Sequence, residues 1–232
     1  GDGTFQALEL GEHAAANGQS GDFDLLLTDV DADGRDDILL NVRRTGGAGN
    51  ANLVYVAFLK EAGFVYSAPQ VLSTAGDWDS YAVYRANADG ARGGDLLFNN
   101  TPRSTTTNST YLAFAADTTA SGFDLETDQL FTLSPALNHP AGNFSGYEYT
   151  HVADFNGDGI DDVIWQNIDA DGNSYYAALG TGSRLDFRPF HRFGSTWASY
   201  EVLVGDADAD GTADLVEPRV RSRWSSFGIY IG

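Results

Sequence analysis

The stretch Asp206-Ala207-Asp208-Ala209-Asp210-Gly211-Thr212-Ala213-Asp214 decides how the rest of the chain is read. Carboxylates fall at positions 1, 3, 5 and 9 of these nine residues. A glycine at position 6 permits a sharp turn, and Thr212 at position 7 can offer its carbonyl. This is the alternation by which a loop wraps one Ca²⁺ in hard oxygen ligands. The pattern recurs at Asp29, Asp31, Asp33, Arg35 and Asp37 around Gly34, and at Asp154, Asn156, Asp158, Ile160 and Asp162 around Gly159. Arg35 and Ile160 hold position 7, so their carbonyls are the expected ligands. A fourth copy is degenerate. It keeps Asn87, Asp89 and Asp95, has Ala91 at position 5, and offers only the carbonyl of Gly93 at position 7. Weak binding or none is expected there, with Arg92 a candidate stand-in for the cation.

The simpler reading of such loops is a solvated turn, since Asp and Asn favour turns. Three or four carboxylates within nine residues repel one another, however, unless a cation sits among them. Ligands that are all oxygen exclude zinc as the native metal. An EF-hand needs a Glu at position 12 and flanking helices. Position 12 is Leu40 in the first loop and Trp165 in the third, and only Glu217 is acidic. Strand-like residues flank every copy, so position 9 is expected to close the loop. A further near-match, Asn167-Ile-Asp169-Ala-Asp171-Gly172, lacks an acid at position 9 and reads better as a hairpin turn.

The four copies lie roughly 50–65 residues apart, the length of a four-stranded propeller blade. Short apolar runs leave each loop: Ile38-Leu-Leu, Leu96-Leu-Phe, Val163-Ile-Trp and Leu215-Val. Glycine is abundant at turn signals, and no stretch keeps a capped 3.6-residue period, so strands are expected and helix is not. The repeat units are placed at about 21–76, 77–142, 143–194, and 195–232 completed by 1–20, all in one domain. Joining Gly228-Ile-Tyr-Ile-Gly232 to Gly1-Asp-Gly-Thr-Phe5 yields one complete unit, so the first strand is expected to finish the last blade and remove the open edge.

These residues carry a resemblance. Repeats reading D-x-[DN]-x-D-G-x-x-D, followed by two or three apolar residues and a later Gly-x-Gly-x-Phe phrase, resemble FG-GAP/VCBS repeats. The resemblance covers nearly the whole chain. It implies an all-β, integrin-α-like β-propeller with Ca²⁺ in the turns between first and second strands. It also implies a role in adhesion, carbohydrate binding or protein contact, often within secreted bacterial proteins. Such rings commonly have seven or eight blades, whereas four units are present here. A closed four-bladed ring, part of a larger ring, and a ring shared by two copies all remain open.

The 232 residues carry a formal charge of -20, which repels phosphate backbones and argues against nucleic acid as a partner. About three bound Ca²⁺ would offset roughly six of these charges. With 42% hydrophobic residues a core can form, yet no run is long enough to span a membrane. The absence of cysteine excludes disulfides and thiolate catalysis. A chain that begins at Gly1 and has no Met is expected to have been processed. Weak calcium sites fill at extracellular concentrations, so an extracellular or cell-surface location is expected.

Trp78 and Tyr81, Phe144 and Tyr147, and Trp197 and Tyr200 share an aromatic-x-x-aromatic spacing before their loops. Packing between blades is the simpler role for these rings, and stacking on a sugar is the functional alternative. His13, His139, His151 and His191 are scattered, and no nucleophile elbow or P-loop is present. A binding module, for a glycan or a protein, is therefore the leading expectation. A polysaccharide-degrading enzyme and a structural spacer are the rivals.

Overall fold

The computed structural model describes residues 22–43, 52–73, 81–91, 94–100, 109–119, 121–125, 128–138, 147–169, 172–192, 202–221 and 224–230. These form sixteen strands and no helix, so no helix among them is long and apolar enough to cross a membrane. The strands make four antiparallel sheets in chain order.

The first sheet holds β1 (Asp22–Thr28), β2 (Asp37–Arg43), β3 (Asn52–Lys60), β4 (Gly63–Tyr66) and β5 (Gln70–Ser73). The second holds β6 (Ala82–Ala86), β7 (Asp95–Asn99), β8 (Ser109–Ala115) and β9 (Phe131–Asn138). The third holds β10 (Tyr147–Ala153), β11 (Asp162–Asp169), β12 (Gly172–Gly180) and β13 (Leu185–Arg192). The last holds β14 (Leu203–Gly205), β15 (Asp214–Arg221) and β16 (Trp224–Tyr230). Both β4 and β5 pair with β3, so the outer strand of this sheet is broken in two. The break falls at Ser67, whose hydroxyl accepts the Val56 amide at 3.0 Å, ahead of Pro69, which has no amide to give a ladder. In the third sheet Asp169 pairs with Gly172, which leaves a two-residue hairpin connection at the Asn167 near-match.

The apolar runs at the middle strands are explained by burial on both faces. Successive residues of a strand point to opposite sides. Leu96 and Phe98 join a cluster with Leu39, Val54, Val56 and Phe58 of the first sheet. Leu97, between them, joins Trp165, Val163 and Ala178 of the third. Ile164, between Val163 and Trp165, packs instead with Val202 and Leu215 of the last. The sheets therefore stack face to face, with a cluster in each gap. Truncating the fully buried Trp165 to Ala would cost about 3–5 kcal/mol. The insertion after β8 is also used, since Phe123 and Leu125 pack on the cluster between the first two sheets.

The two ends of the stack differ from its interior. Leu25 and Leu27, on the outer face of the first sheet, are 60% and 54% exposed. Leu203, on the outer face of the last, is 59% exposed. The closed four-bladed ring is thus not found. Among the described residues the three clusters join the sheets in a row, and none joins the first sheet to the last. The fourth strand expected from residues 1–20 lies outside the described residues.

Candidate metal centre

In each sheet the first two strands are joined by one nine-residue loop, closed at its base by the same register. The pairs are Thr28↔Asp37, Ala86↔Asp95, Ala153↔Asp162 and Gly205↔Asp214. The backbone is left-handed at position 4 of every loop: Ala32, Gly90, Gly157 and Ala209. It is left-handed again at the position-6 glycines Gly34, Gly159 and Gly211. Only the second set is visible as a sequence rule. An alanine in this region costs about 1–2 kcal/mol, so the loops at Ala32 and Ala209 are held against that strain.

Position 9 anchors the loop to its sheet. Asp37, Asp95, Asp162 and Asp214 are at most 1% exposed. One carboxylate oxygen accepts the amide of position 2: Val30 at 2.9 Å, Ala88 at 2.8 Å, Phe155 at 3.1 Å and Ala207 at 2.8 Å. The other accepts an amide at the end of the third strand, from Leu59 at 2.9 Å, Ala115 at 2.7 Å and Gly180 at 2.8 Å. The equivalent donor in the last sheet lies outside the described residues. Burial pushes Asp37, Asp95 and Asp162 up to about 6, against the bonds from these amides. The degenerate loop keeps the whole arrangement at Asp95.

Positions 1, 3 and 5 shape the loop's interior. The position-1 carboxylates of Asp29, Asp154 and Asp206 accept the amides of Gly34, Gly159 and Gly211 at 2.8, 2.8 and 3.1 Å. At position 5, Asp33, Asp158 and Asp210 accept the amides of Arg35, Ile160 and Thr212 at 3.1, 2.9 and 2.8 Å. At position 3, Asn156 and Asp208 accept the amides of Asp158 and Asp210 at 2.9 and 3.1 Å. Carboxylate oxygens of Asp206, Asp208 and Asp210 lie within 4.8 Å of one another, as do those of Asp29, Asp31 and Asp37. Oxygens on opposite sides of a Ca²⁺ are about 5 Å apart, so both trios have the dimensions to hold one. Asp31 adds a chemical indication, because its Oδ1 is buried with no hydrogen-bond partner. The loop at Asp154, with Asn156 at position 3, shows no such carboxylate trio. Its position-1 carboxylate is instead spread over four amides, those of Asn156, Gly157, Asp158 and Gly159.

The degenerate loop is built differently. Asn87 donates its side-chain amide to the carbonyl of Gly159 in the next loop at 2.8 Å. Asp89 accepts the Ala91 amide at 2.7 Å, and part of the Asp95 carboxylate is shared with the Asp89 amide at 3.3 Å. Arg92 and Gly93 lie outside the described residues. Gly94 explains itself. A Cβ there would lie 1.9 Å from Oγ1 of Thr28, so no other residue fits.

That close approach belongs to a seam which sequence reading missed. The position-8 amide of each loop donates to the position-1 carbonyl of the loop before it. The bonds are Gly94 to Asp29 at 2.6 Å, Asp161 to Asn87 at 2.8 Å and Ala213 to Asp154 at 2.8 Å. Position 4 of one loop also faces position 7 of the next. A Cβ on Gly90 would meet Ile160 at 3.1 Å, and one on Gly157 would meet Thr212 at 2.9 Å. The loops thus form one edge of the stack. A cleft of about 750 Å³ opens along it, lined by Asp29, Asp33, Arg85, Asn87 and Asp161.

Of the paired aromatics, Tyr81 packs on the first cluster. Its ring meets Tyr111 edge-on at 5.8 Å, and its hydroxyl bonds to Ser109. Tyr147 opens β10. Trp78, Phe144, Trp197 and Tyr200 lie outside the described residues.

No curated protein matches the chain. One family does, the FG-GAP-like repeat, over residues 154–217. The matched span opens on position 1 of the third loop and ends just past the last, so it takes in two loops with β11, β12, β13 and β14 between them. The chain carries an FG-GAP-like repeat across residues 154–217.

Proposed function

We propose that this chain is a calcium-stiffened β-propeller module that binds a glycan or protein partner outside the cell. The seam of loops carries the reading. Acidic turns recur at one edge, joined amide to carbonyl, so an ion held in one loop stiffens its neighbours. Asp29, Asp31 and Asp37 would hold calcium in the first loop, and Asp206, Asp208 and Asp210 in the last. The loop at Asp154 carries oxygen side chains at the same positions, Asp154, Asn156, Asp158 and Asp162, and would hold an ion through them. The ion would supply charge neutralisation and rigidity, and the partner would meet the cleft beside the loops. An FG-GAP-like repeat agrees with a binding or adhesion role.

Ring closure belongs to the same reading. The outer faces of the end sheets, with Leu25 and Leu27 on one and Leu203 on the other, repeat the chemistry that the interior sheets bury. Bringing them together would add a fourth seam bond, from the Asp36 amide to the Asp206 carbonyl. Position 4 of the last loop, Ala209, would then face position 7 of the first, Arg35. An Ala209→Cys, Arg35→Cys pair tests this in a chain with no other cysteine. An intramolecular disulfide supports a closed ring, a crosslinked dimer supports a ring shared by two copies, and no crosslink contradicts closure. A glycan array in calcium tests the binding role. Capture without cleavage supports it, and cleavage would replace it with the enzyme reading.

A further inference from the structure

Lys60 enters the first loop from another strand, and neither the second nor the third sheet has its counterpart. The residue before it, Leu59, donates its amide to the position-9 Asp37. Ala115 and Gly180 do the same in the second and third sheets, so Lys60 corresponds to Ala116 and Thr181. Its ammonium is bonded to Asp31 and lies 3.0 Å from Asp33. Asp33 is also paired with Arg35 at 3.0 Å. Among the described residues no ion pair reaches Asp154, Asp158, Asp206, Asp208 or Asp210. The consequence is visible in the acids themselves. In the last loop the position-5 carboxylate, Asp210, belongs to the trio within 4.8 Å, whereas in the first loop Asp33 is turned to its two cations and Asp37 completes the trio.

We infer that Lys60 is a built-in cation for the first loop, holding its carboxylates together without metal and opposing the entry of calcium. The inference rests on the calcium reading above. It divides the acidic loops into two classes, one closed by lysine and those that need the ion. A divalent ion entering beside Asp31 meets an ammonium a few ångströms away. The ion must either displace it or bind against it. Removing that charge favours calcium by on the order of tenfold or more.

The position-6 glycine amides report each loop separately, because each donates to its own position-1 carboxylate. A calcium titration followed by amide NMR should shift Gly211 at lower calcium than Gly34. In Lys60→Gln the Gly34 midpoint should fall about tenfold or more, with Gly159 and Gly211 unchanged as controls of the fold. Lys60→Arg, which keeps the charge, should leave the Gly34 midpoint high. Coincident midpoints for Gly34 and Gly211 in the unmodified protein, or no movement of Gly34 in Lys60→Gln, would overturn the role of Lys60 while leaving calcium binding intact. Silence of all three glycines would instead overturn the calcium reading itself, and this inference with it.

Discussion

The loops 87–95 and 206–214 occupy the same place in their sheets, yet one has lost what the other keeps. Both end on a buried position-9 aspartate that accepts the amide of position 2, at 2.8 Å in each. In 206–214 the acids at positions 1, 3 and 5 converge within 4.8 Å at the surface. In 87–95 position 1 has become Asn87, which reaches across to the neighbouring loop, and position 5 is Ala91. The nine-residue signature therefore holds two separable devices. Position 9 ties the loop to its sheet and survives when the rest decays. Positions 1, 3 and 5 form the part of the last loop that answers to a cation; in the first loop Asp37, at position 9, completes the trio in place of position 5.

The largest effect that would break this division is at position 9. Asp95→Ala would leave two buried amides unpaired, at about 1–3 kcal/mol each. It should destabilise the calcium-free protein as much as Asp162→Ala, by roughly 2–6 kcal/mol, and by the same amount when calcium is present. Urea unfolding in calcium and in EGTA measures this, and a loss at Asp95 confined to calcium would merge the two devices.

Next comes the cation itself. At free calcium 100 times its dissociation constant, one site adds about 2.7 kcal/mol to stability. Asp208→Ala with Asp210→Ala should erase that increment for the last loop and change little in EGTA. Asp89→Ala should erase nothing. Melting curves of the two variants in calcium sharpen the contrast directly.

A gentler, pH-dependent effect follows from the burial of Asp37, Asp95 and Asp162, held near 6 rather than 3.8. Between about 4 and 6 the folded chain keeps protons that the unfolded chain has released. Calcium-free stability should therefore fall as pH rises across that window and level off above it. Because Asp95 sits in the degenerate loop, Asp95→Asn should reduce this slope without altering calcium binding. Chemical unfolding in EGTA at pH 4.5 and pH 7 checks the sign.

The smallest effect is backbone strain. Ala32→Gly and Ala209→Gly relieve a left-handed alanine and should each stabilise the calcium-free chain by up to about 1 kcal/mol. The glycines already present at positions 90 and 157 are the internal comparison.

Much of this architecture is legible in the residues, and the omissions have physical causes. The runs Leu96-Leu-Phe and Val163-Ile-Trp announce strands because burial on both faces demands unbroken apolar character. The loops announce themselves because their chemistry is local, nine residues long and repeated. Contacts between distant segments leave no such trace. Lys60 stands 29 residues from Asp31, and only the register of β2 and β3 brings them together. Gly94 looks like debris of a decayed loop until Thr28 is seen against it. The left-handed turns at Ala32 and Ala209 escape notice because alanine is not a residue that signals one. The broken outer strand of the first sheet likewise depends on Ser67 bonding to Val56, not on any apolar pattern.

The most direct test of the central claim is calorimetric titration of the intact chain with calcium, repeated on Asp208→Ala with Asp210→Ala. The account predicts binding to more than one loop and the loss of one equivalent in the variant. No heat and no bound ion at millimolar calcium, or an unchanged stoichiometry in the variant, would contradict it.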